Sequence, residues 1–249
     1  MSKYNVHGGH NKIVPGASGY LDEVTEDRKV KNQLILYLRS MGHTVYDCTD
    51  DSGKTQSKNL ANITAKCNQH DVTLDISIHL NAGGGTGTEV LYVSSSGKTY
   101  AEKVSRAVSS ALGITNRGAK KRTDLYVLNH TKSAAILVEC CFVDSKTDKG
   151  KWNAEVCAKA IAEAVTGKKI QGTTTDGKNN FTIKVNGVKK GDVLNIRASA
   201  SASSKITGTL AYNDPNTYTI IGTSVNGTDT WGRLKSGIGW INLKYTKRA

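Results

Sequence analysis

Apolar and polar positions alternate with two different periods along the chain. In the first stretch a strand at Tyr4–Val6 runs into a Gly-rich loop, and a helix follows over about Glu26–Met41. There Val30, Leu34, Tyr37, Leu38 and Met41 recur on one helical face, with Thr25 as the N-cap and Gly42 as the stop. Val45–Cys48 reads as a strand, and Leu60, Ile63 and Cys67 mark one side of a helix over about Ser57–Asn68. Through Val72–His79, Val72, Leu74, Ile76 and Ile78 alternate with small or polar residues, which predicts a strand; another follows at Glu89–Val93. A third helix covers about Thr99–Leu112. Ala134–Glu139 is a continuous apolar run ending in a carboxylate, as in a strand covered on both faces, and a last helix spans about Asn153–Thr166. Strand and helix in alternation predict a three-layer α/β domain, a mostly parallel twisted sheet flanked by helices.

The period changes at residues 167–180, where one residue in fourteen is aliphatic. Beyond it come only short alternating runs, at Phe181–Val185, Val193–Arg197, Ile206–Leu210, Tyr218–Val225, Trp231–Lys235 and Gly239–Leu243, with turn residues between them. That pattern predicts a small all-β barrel. The expected division is therefore 1–168, a linker at 169–180, and 181–249.

Composition narrows the function classes. Of the 249 residues 37% are hydrophobic, which excludes a disordered chain. No apolar run is long enough to span a bilayer, and Met1–His7 lacks the apolar segment of an export signal, so the expectation is a protein made in a cytosol with no membrane insertion. The five cysteines form no metal-binding or disulfide spacing and read as free thiols. A net charge of +13, with +7 in residues 173–249, favours an anionic partner: nucleic acid, an acidic membrane or a wall polymer. The basic clusters Arg28–Lys31 and Lys120–Arg122 read as solvated surface, and no nucleic-acid motif accompanies them, so a basic nucleic-acid-binding protein is the weaker alternative.

Ligands of open α/β sheets gather at the carboxyl ends of strands. Three such ends carry a metal-capable group: His7-Gly-Gly-His10, Ser77-Ile-His79-Leu-Asn81 and Val138-Glu139, and Glu26 opens the first helix beside them. Two imidazoles and one carboxylate with an open position describe a catalytic zinc site, and a further carboxylate could move the proton of the attacking water. Blander readings exist: a strand-end histidine often only hydrogen-bonds, and Glu26 could merely complement the helix dipole. Glu139 resists that treatment, because a carboxylate flanked by core on both sides is costly without a task.

The set Gly9-His10, Glu26, Ser77-Ile-His79-Leu-Asn81-Ala82 and Leu137-Val-Glu139-Cys-Cys-Phe142 resembles the zinc-dependent N-acetylmuramoyl-L-alanine amidases of the Amidase_3 type, over roughly residues 1–168. The resemblance implies that His10, Glu26 and His79 bind Zn2+ and that Glu139 is the catalytic acid and base; the Gly-His pair favours His10 over His7. The family more usually opens with Asp-Pro-Gly-His and places a small residue and Gly where Cys140-Cys141 stands.

The tail, with Leu194-Asn-Ile-Arg197, Trp231-Gly-Arg-Leu and Gly239-Trp240-Ile, resembles a bacterial SH3 (SH3b) domain, which implies binding to peptidoglycan or anionic wall polymers. Tyr212, Tyr218, Trp231, Trp240 and Tyr245 are its candidate contact residues, although Trp231 and Trp240 could equally fill a small core. A wall-lytic enzyme without an export signal resembles a phage endolysin, acting on the wall after holin-type release. A wall-binding protein with an inactive amidase-like domain is the other reading.

Overall fold

A computed structural model describes residues 1–170, 180–226 and 228–249, and the chain divides into two units, Met1–Lys169 and Ile170–Ala249. The first unit runs β1 (Lys3–Gly8), α1 (Glu23–Ser40), β2 (Thr44–Asp47), α2 (Gln56–Cys67), β3 (Leu74–Asn81), β4 (Thr88–Tyr92), α3 (Ser95–Leu112), β5 (Asn116–Lys121), α4 (Tyr126–His130), β6 (Ala135–Phe142), α5 (Lys146–Lys151) and α6 (Ala154–Thr166). Its twisted sheet has the order β2-β1-β3-β6-β4-β5.

The sheet is mixed. The pairs β2–β1, β1–β3, β3–β6 and β4–β5 are parallel, whereas β4 lies antiparallel to β6. The cause is the short connection from Asn81 to Thr88: a parallel return needs a crossover of about a dozen residues or more, so β4 must start at the edge where β3 ends. The carboxyl ends of β1, β3 and β6 therefore share one rim with the amino ends of β4 and β5. Strand β5, Asn-Arg-Gly-Ala-Lys-Lys, has no apolar alternation to announce it, and α4 and α5 are too short to show a period.

One face of the sheet carries Val6, Ile76, Ile78, Ile136, Val138 and Val90, all buried, beneath α1, α3 and α6. On the other face a smaller apolar layer joins Leu91, Ala135 and Leu137 to Ile63 and Cys67 of α2 and Val127 and Leu128 of α4. Because side chains on a strand repeat every second residue, Leu91, Leu137 and Ser77 are followed toward the rim by Glu89, Glu139 and His79 on that same face. The candidate site side chains thus continue a core layer to its edge.

Helix α1 begins three residues earlier than the hydrophobic pattern suggests. Asp22, a stronger N-cap type than Thr25, accepts a hydrogen bond from the Thr25 amide at 2.9 Å, which makes Glu23 the first helical residue.

The second unit contains β7 (Phe181–Val185), β8 (Val193–Arg197), β9 (Ile206–Ala211), β10 (Tyr218–Asn226), β11 (Asp229–Leu234), β12 (Trp240–Asn242) and β13 (Thr246–Arg248). They form an antiparallel sheet in the order β13-β7-β10-β11-β12-β8-β9 over a core of Ile183, Leu194, Ile196, Ile220, Leu234 and Ile241. No pairing joins β13 to β9 among the described residues, so the unit is an antiparallel β region and not a demonstrated closed barrel. Of the expected linker, residues 171–179 lie outside the described residues.

Candidate metal centre

The loop leaving β1, the first turn of α1 and the end of β3 converge. His10, Glu23 and His79 each place one donor atom within 4.8 Å of the others. The His10 and His79 rings meet edge-on with centroids 5.1 Å apart, and Glu23 Oε1 lies 3.1 Å from His79 Nδ1 and 3.7 Å from His10 Nε2.

Glu23 is held from three directions. Its Oε2 accepts from the Ala17 amide at 2.7 Å, and its Oε1 accepts from the Leu80 amide at 3.1 Å as well as facing His79. Burial pushes its carboxyl up, but the His79 hydrogen bond and the nearby imidazoles outweigh it, and the net direction is down. Two glycines let the backbone close on this group. A methyl at Gly9 would overlap the His79 imidazole, and one at Gly16 would overlap the Glu23 carboxylate and the edge of the His10 ring. The backbone at Gly9 thus approaches a metal-capable side chain closely. A pocket with two nitrogens, one buried carboxylate oxygen and backbone pressed against them fits a tetrahedral divalent metal such as zinc.

Glu26 does not join this group. Its Oε2 accepts from Trp152 Nε1 at 2.8 Å, and its Oε1 pairs with Lys29 at 2.7 Å. The first helix opens on Glu23 because the cap lies at Asp22, so the acid brought beside the two imidazoles is Glu23 and not the expected Glu26. His7 also stays out. It is buried behind the rim, 3.5 Å from Ser77 Oγ, and burial pushes its imidazole down to about 3.

Glu139 lies directly across from His79 in the β3–β6 register and from Glu89 in the β6–β4 register. Its Oε2 is buried without a hydrogen-bond partner among the described residues. Burial is the main cause that lifts its carboxyl to about 7, partly opposed by His79 and reinforced by Glu23 and Glu89. Leaving such an atom unsatisfied costs about 1–3 kcal/mol, which together with its place beside His79 makes Glu139 the candidate proton-transferring group.

Glu89 has the opposite surroundings. Its Oε2 takes Arg117 Nε and Lys120 Nζ, both at 2.6 Å, and its Oε1 accepts from Asn81 at 3.2 Å; although burial pushes upward, these two cations bring its carboxyl down. The pattern gave no notice of Glu23, Glu89 or Arg117 as site residues. A stricter ranking of Asp over Thr as N-cap would have found the first.

Arg28 ties the metal loop to the helix. Its guanidinium donates to the His10 carbonyl at 2.6 Å, to Asp51 at 2.7 Å and to Asp27 at 2.9 Å. Lys31 pairs with Asp47, and Arg122 with Asp124. Both basic clusters are thus engaged with acids of the same unit.

In the second unit Trp231 and Trp240 are buried, Tyr218 donates to Asp214 at 2.7 Å, and Tyr212 and Tyr245 are exposed. No helix among the described residues is long and apolar enough to cross a membrane.

These features coincide with a known class. The chain belongs to the N-acetylmuramoyl-L-alanine amidase family Amidase_3, which matches residues 6–168. An uncharacterised protein of Clostridium perfringens is 34% identical over 182 residues, covering 68% of this chain and 53% of its own. The sporulation-specific N-acetylmuramoyl-L-alanine amidase of Bacillus subtilis is 28% identical over 168 residues, covering 65% and 64%. The solved catalytic domain of the CD27L endolysin targeting Clostridia difficile is 31% identical with a TM-score of 0.64, covering 69% of this chain and all of that one. The chain spans between half and two thirds of the length of the curated relatives it matches first, 53% and 61%.

Proposed function

We propose that the first unit is a zinc-dependent N-acetylmuramoyl-L-alanine amidase that cleaves the amide between the lactyl group of N-acetylmuramic acid and the L-alanine of the stem peptide. The observation that carries this is the unpartnered Glu139 Oε2, set one strand from His79 and beside the His10–Glu23–His79 group. His10, Glu23 and His79 would hold Zn2+. When bound, the ion supplies Lewis acidity to the scissile carbonyl and makes water acidic near neutrality.

The remaining work falls to Glu139. As base it takes a proton from the attacking water on Oε2, and as acid it returns that proton to the alanine nitrogen as the C–N bond breaks. In the metal-free protein burial raises its carboxyl to about 7, so it holds a proton more readily than an exposed glutamate. Ala17, Leu80, Gly9 and Gly16 hold the donors in place, so little reorganisation accompanies the reaction.

For the second unit we propose an SH3b-type module that brings the enzyme to peptidoglycan or an anionic wall polymer, in keeping with its share of positive charge. Exposed Tyr212 and Tyr245 and half-buried Tyr218 are its candidate contacts. Similarity to the CD27L endolysin and to the endolysin of Bacillus phage SPP1 supports an endolysin role; the proposal includes action on the host wall from the bacterial cytoplasm after holin-type release.

The test is incubation of the full chain with purified cell walls. New L-alanine amino termini, lost with a zinc chelator and restored by zinc, are expected. Release of reducing sugars in their place, or no cleavage of walls from any of several bacteria, overturns the reading.

A further inference from the structure

Around Glu89 the rim holds more positive charge than that carboxylate needs. Arg117 and Lys120 converge on a single oxygen of Glu89, yet one cation suffices to neutralise it. The surplus is accessible, since the Arg117 and Lys120 side chains are 34% and 43% exposed. Arg117 is also fixed in direction: its Nε is spent on Glu89, and its guanidinium lies 5.0 Å from the centre of the Phe142 ring. Neither Nη1 nor Nη2 has a hydrogen-bond partner among the described residues. An anchored guanidinium with its two terminal nitrogens free is suited to bidentate capture of a carboxylate.

We propose that Arg117, assisted by Lys120, forms a subsite that reads a free carboxylate on the peptide leaving group. The inference rests on the amidase reading of the same site and adds a substrate preference to it.

Position restricts which carboxylate can be read. Glu139, Glu89 and Gly118 are level on three successive strands, so β5 lies about 10 Å from the catalytic carboxylate at about 4.8 Å per strand. An extended peptide covers that span in about three residues, and fewer because Arg117 leans back toward Phe142 of β6. The muramyl side of the bond offers no carboxylate once its lactyl group is in the amide. On the peptide side, a second residue linked through its side-chain carboxyl bears an α-carboxylate within reach. The same group as a carboxamide is neutral and would forfeit the contact.

The experiment compares two muramyl peptides that differ only in that carboxylate or carboxamide, together with the two peptides that hydrolysis releases. Expected are a kcat/KM about 5–10-fold higher for the free acid and tighter binding of the acidic peptide by isothermal titration, the size of a partly exposed charged contact. Arg117→Gln should bring both ratios close to one and Arg117→Lys should reduce them. Lys121→Gln, which removes the same charge one position past Lys120, should leave them unchanged. Equal handling of acid and amide by the wild type, or equal loss of preference in Lys121→Gln, overturns the subsite while leaving the amidase reading intact. Failure to hydrolyse either substrate, with the acidic peptide still preferred in binding, overturns the amidase reading and supports the subsite.

Discussion

The two sides of the rim use carboxylates in opposite ways. On the side built by β1, α1 and β3, every oxygen of Glu23 is assigned, to Ala17, Leu80 and His79, and backbone glycines close on the rings. On the side built by β6, β4 and β5, Glu139 keeps a buried oxygen with no partner while Glu89, one strand away, is saturated by two cations and an amide. The first arrangement suits a group that must not move and must stay charged. The second suits a pair in which one member exchanges protons and the other stays an anion. The difference comes from partners, since all three are glutamates.

The sharpest way to break this comparison is to neutralise one carboxylate on each side. Glu139→Gln should lower amidase turnover by about 10³-fold, within the range for a lost acid–base group, while zinc stoichiometry by atomic absorption stays at the wild-type value. Glu23→Gln should lose both zinc and activity. Retention of turnover by Glu139→Gln, or of tightly held zinc by Glu23→Gln, would contradict the division of labour.

Gly9→Ala probes the packed side without replacing any metal-capable residue. The added methyl must displace the His79 ring, so zinc affinity should fall by about 100-fold, the upper end of what disturbing a ligand's orientation costs. A competitive chelator titration reads it directly. Gly118→Ala is the counterpart on the other side. Its φ of +82° strains any side chain, yet nothing lies near the new methyl, so stability should drop by about 1 kcal/mol with zinc affinity intact.

Much of this was legible in the sequence. Apolar alternation in Val72–His79 placed His79 at a strand end on the polar-facing set, and the core on both sides of Glu139 marked it as a carboxylate in need of a task. Three things were not legible. The β4 reversal follows from a connection length whose meaning appears only once β6 is known to insert between β3 and β4. Strand β5 has no apolar period, so Lys120 reads only as part of a surface cluster with Lys121 and Arg122, and Arg117 gives no signal. The α1 start was placed by its apolar face, which begins to repeat at Val30, whereas the true start is set by a polar cap eight residues earlier.

The unpartnered oxygen of Glu139 also predicts a pH dependence in the metal-free protein. Its carboxyl is raised by burial from 4.5 to about 7, so the folded state binds its proton more tightly than the unfolded chain. The resulting stabilisation is complete below pH 4.5 and disappears as pH rises through about 7. Asp27, also raised to about 7 by burial, and His7, lowered to about 3, titrate in overlapping ranges but are common to both proteins in a difference measurement. Wild type minus Glu139→Gln should therefore lose about 3 kcal/mol of unfolding free energy between pH 4.5 and 7.5, measured by urea titration without zinc. A flat difference would mean that the carboxyl is solvated and that the two sides of the rim are less unlike than the geometry makes them.

The smallest effect tests where the metal-holding side ends. Glu23 and Glu26 sit one turn apart on α1, both buried and both acidic, and a reading from residue type alone assigns either one to the metal. Geometry separates them by their partners: Glu23 faces two imidazoles, whereas Glu26 faces Trp152 and Lys29. Glu26→Gln keeps a carbonyl oxygen able to accept from the Trp152 indole and loses only an ion pair whose lysine is 57% exposed. The cost should be under about 1 kcal/mol of stability, with zinc affinity and turnover within about twofold of wild type. A loss of zinc in Glu26→Gln as large as that in Glu23→Gln would return the ligand role to Glu26. Survival of zinc binding in Glu26→Gln alone would fix the metal side at the first residue of the helix, where the cap at Asp22 puts it.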